Sequence, residues 1–256
     1  MSNDSTSKTL IVATLLCVVC SIMVSYAAVS LKPLQVKNKR LDIKKNLLVT
    51  AGLVEDGAQE SEIVEAFKVV ETKVVDLSTG KYVDIDPETY DARKASKNPK
   101  KNYRIPSDKD LGNIKSRAQY KKVYFIKEGD KVKNVVFPVH GKGLWSTMYG
   151  FLVLEEDLNT VKGLGFYEHG ETPGLGGEID NPRWKKNWNG KKAFNDSMEP
   201  ALKVVKGSAA PGSDHNIDGL SGATITANGV TGLVQYWLSE NAYGTFIKNL
   251  REGEML

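Results

Sequence analysis

Two hydroxyl residues, Ser221 and Thr224, bracket a Gly222-Ala223 pair in the stretch DGLSGATITANGV, residues 218–230. A hydroxyl on so bare a turn either caps the helix that follows or offers an uncrowded point of attachment. Val230, Leu233, Val234, Trp237 and Leu238 recur at the spacing of a helix that buries one face, and they predict a helix beginning at Ala227. Thr224 then lies just ahead of the helix amino terminus, where unpaired N–H groups and the helix dipole favour an anion such as a phosphate. The purely structural alternative is that Thr224 or Thr226 caps that helix.

Two further segments are rich in glycine: GKGLWSTMYG, residues 141–150, and HGETPGLGGEI, residues 169–179. Each alone reads as a turn. Together with residues 218–230 they offer backbone that a ligand can approach closely, and Trp145 and Leu175 offer apolar contact for a flat ring. Other chemistries lack their residues. His140, His169 and His215 are scattered, with no HExxH and no cysteine partner, so no metal site is expected. GLSG has Ala223 where a nucleophile elbow needs its second glycine, and GKGLWS holds two of the three glycines of a dinucleotide fingerprint without a βαβ context.

The elements that must position these segments begin with an anchor. Residues 9–31 are 23 residues without a charge, about 34 Å of helix and enough to cross a hydrocarbon layer. A cleavable signal peptide is the competing reading, but signal cores are shorter and the preceding tail carries only Lys8. Val19 before Cys20 argues against a lipoprotein signal. Lys32, Lys37, Lys39, Arg40, Lys44 and Lys45 follow the span against Asp42 alone, so charge counting favours a cytoplasmic domain, although long domains translocate despite such a bias. Cys17 and Cys20 both lie in the span, on one helix face, and read as small apolar residues there. The organisation expected is a tail at 1–8, a transmembrane helix at 9–31, a juxtamembrane segment at 32–60 and a soluble domain at 61–256 with its motifs in 141–230. The net charge of +4 comes with no nucleic-acid-binding pattern, so no nucleic-acid partner is expected.

Within the domain, SEIVEAF reads as a short helix capped by Ser61, and residues 68–85 as strand, turn and strand. Residues 93–117 read as a long loop or subdomain connection. Residues 122–139 form a hairpin around Glu128-Gly129-Asp130, and residues 149–171 supply two more strands. Pro182 opens a helix, and Tyr243, Phe246, Ile247 and Leu250 mark a terminal one. Strand runs with helices gathered at the ends predict an α+β fold rich in antiparallel pairing, preceded by one transmembrane helix.

Asp218, Ser221, Gly222, Ala223 and Thr224 together resemble the D-x-x-[ST]-G-A-[TS] signature of the FMN-binding domain family, whose last Thr or Ser carries FMN through a phosphoester bond. With ETPGLGG ahead of it and one amino-terminal span, the chain is similar to the C-subunit family of the Na+-translocating NADH:quinone reductases. The likeness covers the anchor, GLWSTMYGF and everything from about Gly163 onward; residues 40–120 are only loosely diagnostic.

The resemblance implies covalent FMN on Thr224, loaded by a flavin transferase that uses FAD. Ser221, Gly222 and Ala223 would keep the acceptor accessible, and Asp218 would position a metal or the hydroxyl during transfer. Trp145, Ser146, Thr172, Gly174, Leu175 and Gly176 would line the flavin, with Lys206 near its phosphate or ring. It also implies a bacterial inner-membrane complex with a periplasmic domain, and the other polypeptides of that complex as partners, its B, D and E subunits above all. In such a complex the C-type polypeptide relays electrons from an intramembrane iron–sulfur centre to a second flavin held by the B-type one, while NADH oxidation by ubiquinone drives Na+ export. With no nicotinamide fingerprint, the chain is not expected to oxidise NADH alone. Two alternatives stay open: the G-type polypeptide of an ion-translocating ferredoxin:NAD+ oxidoreductase, and a membrane-tethered adaptor without a redox cofactor.

Overall fold

The computed structural model describes residues 5–253 and divides into two compact units, before and after the boundary between Ile43 and Lys44. One helix, α1 (Thr6–Thr50), runs through both and through Pro33. Its apolar stretch has a mean hydropathy of 2.5 and no buried residue, so by length and composition it can cross a membrane.

The second unit is built on a six-stranded sheet. Its strands are β1 (Val70–Asp76), β2 (Lys81–Val83), β5 (Tyr120–Glu128), β6 (Lys131–Lys142), β7 (Thr147–Glu155) and β8 (Val161–Glu168). They lie in the order β2-β1-β5-β6-β7-β8, every pair antiparallel. Val135, Phe137 and Val139 of β6 point into a core completed by helices α5 (Thr224–Leu238) and α6 (Gly244–Arg251). Two polar aromatic tips pin those helices to β6: Trp237 Nε1 donates to the His140 carbonyl at 2.6 Å, and the Tyr243 hydroxyl to that of Pro138 at 3.0 Å. Pro138 has no N–H to give a ladder. It is tolerated because β5 pairs with β6 only as far as Val136, leaving that edge of β6 open beyond it.

Four local expectations need correction. Residues 93–117 are not a loop: they hold most of helix α3 (Ala92–Lys97), strand β3 (Asn102–Arg104) and the start of β4 (Ser116–Ala118), which pairs with β3. Asp91 nucleates α3 by accepting the N–H groups of Arg93 and Lys94, a cap signal overshadowed by the surrounding Lys, Asn and Pro. Ser61 does not cap helix α2 (Glu60–Ala66); the cap is Gln59, two residues earlier, and Glu62 reaches back to the Gln59 N–H at 2.9 Å. Helix α5 begins at Thr224 instead of Ala227, and neither Thr224 nor Thr226 caps it, because Ala223 occupies the cap position. A parallel pair, β9 (Lys203–Val204) with β10 (Asn216–Ile217), closes the loop below that helix start; two-residue strands carry no legible periodicity. Helix α4 (Pro182–Lys186) starts at Pro182 with Asn181 as its cap, as the proline predicts.

Candidate functional site

The three glycine-rich segments meet at one carboxylate. The β6–β7 ladder ends at Lys142↔Thr147, so residues 143–146 form a tight connection, closed by Gly143 N donating to Ser146 O at 2.8 Å, and the other three N–H groups turn toward Glu171. Glu171 Oε1 accepts from Trp145 N at 3.0 Å and Ser146 N at 3.1 Å; Oε2 accepts from Leu144 N at 3.1 Å and from the Thr226 hydroxyl at 2.6 Å. Ser146 Oγ in turn accepts the Gly170 N–H at 2.6 Å. Glu171 is 5% exposed. Burial by itself raises a carboxyl pKa, but the hydrogen bonds from Thr226 and the three backbone N–H groups outweigh it and hold Glu171 below the usual carboxylate range.

Glycine is required where this knot is tightest. A Cβ on Gly143 would sit 2.5 Å from Glu171 Oε1, and one on Gly176 would sit 2.5 Å from Thr226 Oγ1 and 3.0 Å from Glu171 Oε2. Any larger residue would push the carboxylate off its donors. On the other side of the knot His169 Nδ1 accepts the Glu171 N–H at 3.2 Å, while Nε2 meets Asp180 Oδ2 at 2.7 Å. The hydrogen bond to Asp180 raises the pKa of His169.

Thr226 spends its hydroxyl on Glu171, whereas Thr224, the first residue of α5, is exposed. Ala223 brings no side-chain acceptor to that helix start, so its first N–H groups are available to an anion. Around it, large apolar side chains remain at the surface: Trp145 is 66% exposed, and Leu175 and Ile225 are exposed too. Gly222 has φ +68°, and a Cβ there would lie 3.0 Å from Leu175 Cδ2, which puts Leu175 against the turn that also holds exposed Ser221. The 172–177 turn is closed by the Thr172 carbonyl, which accepts from Leu175 N and Gly177 N, with Gly174 at φ +75°. The structure therefore brings together Trp145, Ser146, Thr172, Gly174, Leu175, Gly176 and the 221–224 turn.

Asp218 and Lys206 stand in a supporting loop. The Asp218 carboxylate accepts from Ala209 N at 2.7 Å and Asn187 Nδ2 at 3.3 Å, and its carbonyl accepts from Trp184 Nε1 at 2.8 Å. Its oxygens thus tie α4 and the 205–209 loop to the base of the 221–224 turn. Gly219 N donates to Gly207 O at 2.7 Å, so Lys206 is carried on the chain beside that turn. Among the described residues no group of three His, Cys, Asp or Glu side chains is placed to hold a metal ion. The sequence reading missed Glu171 and His169 as organisers and read Thr226 only as a cap; an acid inside a glycine-rich turn was the available signal for Glu171.

Comparison with known proteins gives this constellation a family. The FMN-binding domain matches residues 143–239, which contain the three segments almost whole. The C-type polypeptide of the Na+-translocating NADH-quinone reductase of Vibrio anguillarum is 47% identical over 253 residues, spanning 98% of each chain. Its Pseudomonas aeruginosa counterpart is 45% identical over 258 residues, spanning 99% of each. The chain belongs to the C-subunit family of the Na+-translocating NADH:quinone reductases. Membership of this family replaces the ferredoxin-oxidoreductase and adaptor alternatives. The crystal structure of Shewanella oneidensis NqrC matches the fold with a TM-score of 0.78 at 36% identity, over 84% of this chain and 99% of that one. The α+β sheet domain of this chain is thus the fold of the NqrC family.

Proposed function

We propose that the chain is a membrane-anchored electron-relay component of a Na+-translocating NADH:quinone reductase, carrying FMN esterified through its phosphate to Thr224. The observation that carries the reading is the exposed Thr224 hydroxyl at an uncapped helix start, inside the matched FMN-binding domain. The residues fit the group. First-turn N–H groups of α5 and the helix dipole suit a phosphate; Trp145, Leu175 and Ile225 leave apolar surface for a flat ring. FMN, when bound, supplies one- and two-electron storage; the protein's part is to hold it, tune it and keep it within reach of neighbouring carriers.

Each residue then has a role of its own. Thr224 would be the acceptor: its Oγ would hold the flavin phosphate in ester linkage, with AMP as the leaving group from FAD taking up the hydroxyl proton. Exposure of Ser221 and Gly222 gives a transferase access to that oxygen. Glu171 holds the Trp145 turn against α5, and Asp218 fixes the loop that bears Lys206. The membrane span is assigned to residues 9–31 of α1. The domain is assigned to the periplasm, on family likeness and against the local charge count, and the B, D and E subunits are its assigned neighbours in the complex.

The test is the intact mass of the membrane-expressed chain, expected to exceed the unmodified mass by one FMN less water, with flavin fluorescence retained in a denaturing gel. An unmodified mass in cells that load other covalent flavoproteins sinks the covalent assignment. A periplasm-only reporter fused after Leu256 is expected to be active; inactivity there, with a cytoplasmic reporter active at the same junction, reverses the topology.

A further inference from the structure

A second site lies where β5 and β6 part. They pair from Tyr124↔Val136 to Glu128↔Lys131, and the lower half of β5 pairs with β1 alone, so the two strands separate toward Tyr120 and Lys142. The segment before β4 fills part of the gap, with Lys142 N donating to Gly112 O at 2.8 Å. What remains is a cleft of about 360 Å³, open to solvent, between the α3–β3–β4 segment and the ends of β6 and β7.

The cleft has donors and no acid. Lys97 and Lys142 line it together with Asn113, Ser116, Thr147 and His140, and no carboxylate is among its lining residues. Behind His140 lies Lys121, 8% exposed, with Nζ 3.5 Å from His140 Nδ1 and 4.4 Å from the Trp237 ring centroid. Among the described residues Lys121 forms no ion pair. Its charged neighbours have its own sign: Arg93 is already held by Glu168 at 2.9 and 3.1 Å, and Arg117, 4% exposed, donates to the Asn241 and Ala118 carbonyls. A buried ammonium without a counter-charge weakens a fold. This region therefore holds positive charge in its lining and behind it, neutral polar groups in the same lining, and room for a small molecule.

We propose that this cleft is a binding site for a small doubly charged oxyanion, a phosphate or a short dicarboxylate, with Lys97 and Lys142 as its charged donors, Asn113 and Thr147 as its neutral ones, and Lys121 as the buried charge it offsets. The site is separate from the Thr224 turn, to which none of these residues belongs; Lys142 Nζ also donates to the Trp145 carbonyl at 3.3 Å. Burial, with the Arg93 and Arg117 charges, pushes the Lys121 ammonium down to about 7, and a bound anion draws it back up.

The test uses the full chain in detergent. Thermal unfolding is followed against inorganic phosphate and against malonate, each compared with sodium chloride at equal ionic strength, and equilibrium dialysis with labelled anion gives the stoichiometry. A saturable rise in Tm with either anion, at one anion per chain, is expected, and the better of the two identifies the ligand class. Lys97 and Lys142 are exposed, so the Lys97→Gln, Lys142→Gln double variant folds; its affinity is expected to drop at least about tenfold, roughly 1.4 kcal/mol. No rise beyond that with chloride, or an undiminished response in the double variant, which would put the anion elsewhere on the chain, overturns the proposal.

Discussion

Glu171 and Lys121 are two charges buried to nearly the same depth in one domain, at 5% and 8% exposure, and they are treated in opposite ways. Glu171 is saturated by four donors, three of them backbone N–H groups from a single turn. Lys121 has one imidazole nitrogen at 3.5 Å, an aromatic face and two guanidinium groups of like sign. A buried charge with all its hydrogen bonds made acts as a fastener, because removing it strands every partner at once. A buried charge left short of partners is a standing cost, and it is relieved when something of opposite sign arrives. The contrast separates a rigid face that presents Thr224 from a cleft that is electrostatically incomplete.

The largest effect expected is all-or-none and tests whether the two regions are independent. Thr224→Val is expected to lose all covalent flavin fluorescence and Thr224→Ser to keep part of it, since only serine retains a hydroxyl. As an exposed substitution, Thr224→Val is expected to change folding stability by less than about 0.5 kcal/mol. Undiminished fluorescence in the valine variant would falsify the attachment site.

Next comes the fastener. Glu171→Ala strands the Thr226 hydroxyl and the N–H groups of Leu144, Trp145 and Ser146, at a cost of about 2–4 kcal/mol, allowing for water reaching the turn. Glu171→Gln keeps an acceptor oxygen and loses less. Urea unfolding of the full chain reads both, and an alanine variant as stable as wild type would mean that the knot holds nothing.

The opposite sign is expected at the other charge. Lys121→Met keeps the length of the side chain and removes an unpaired ammonium, so it is expected to stabilise the chain at pH 7 by about 1–3 kcal/mol. A clear loss of stability would show that Lys121 is satisfied as it stands and would erase the contrast with Glu171.

The smallest effects are in pH dependence. Lys121 has its folded pKa lowered to about 7 from the ordinary lysine value of 10.5, so the unfolded chain binds the extra proton between those values. Wild-type stability is therefore expected to rise relative to Lys121→Met across that window, closing the gap between them. Glu171 has its folded pKa depressed, so its contribution is present above the unfolded value, about 4.3, and is lost as pH falls through the folded one. Stability profiles of wild type, Lys121→Met and Glu171→Gln against pH separate the two windows.

Much of this protein is written locally. An uncharged run long enough to cross a bilayer, hairpins marked by alternating apolar residues around Glu128-Gly129-Asp130, the apolar stripe from Val230 to Leu238, and a hydroxyl set among glycines are all read from contiguous stretches of chain. Those features carried the fold class, the anchor and the choice of Thr224 as a candidate. The tertiary structure decided what no local pattern encodes. Helix α5 starts at Thr224 because the chain is held there from outside: Thr226 bonds Glu171 across 55 positions, and Ala223 has no side-chain oxygen to announce a cap. α3, β3 and β4 escaped notice because elements of three to six residues are too short to show a period. Lys121 lies just outside the hairpin read at residues 122–139 and carries no signal of its own; only the parting of β5 from β6 makes it a buried charge beside a cleft. Periodicity and turn chemistry act between near neighbours, so sequence determines them directly. Which groups satisfy a buried charge depends on which distant segments the closed fold brings within hydrogen-bonding distance.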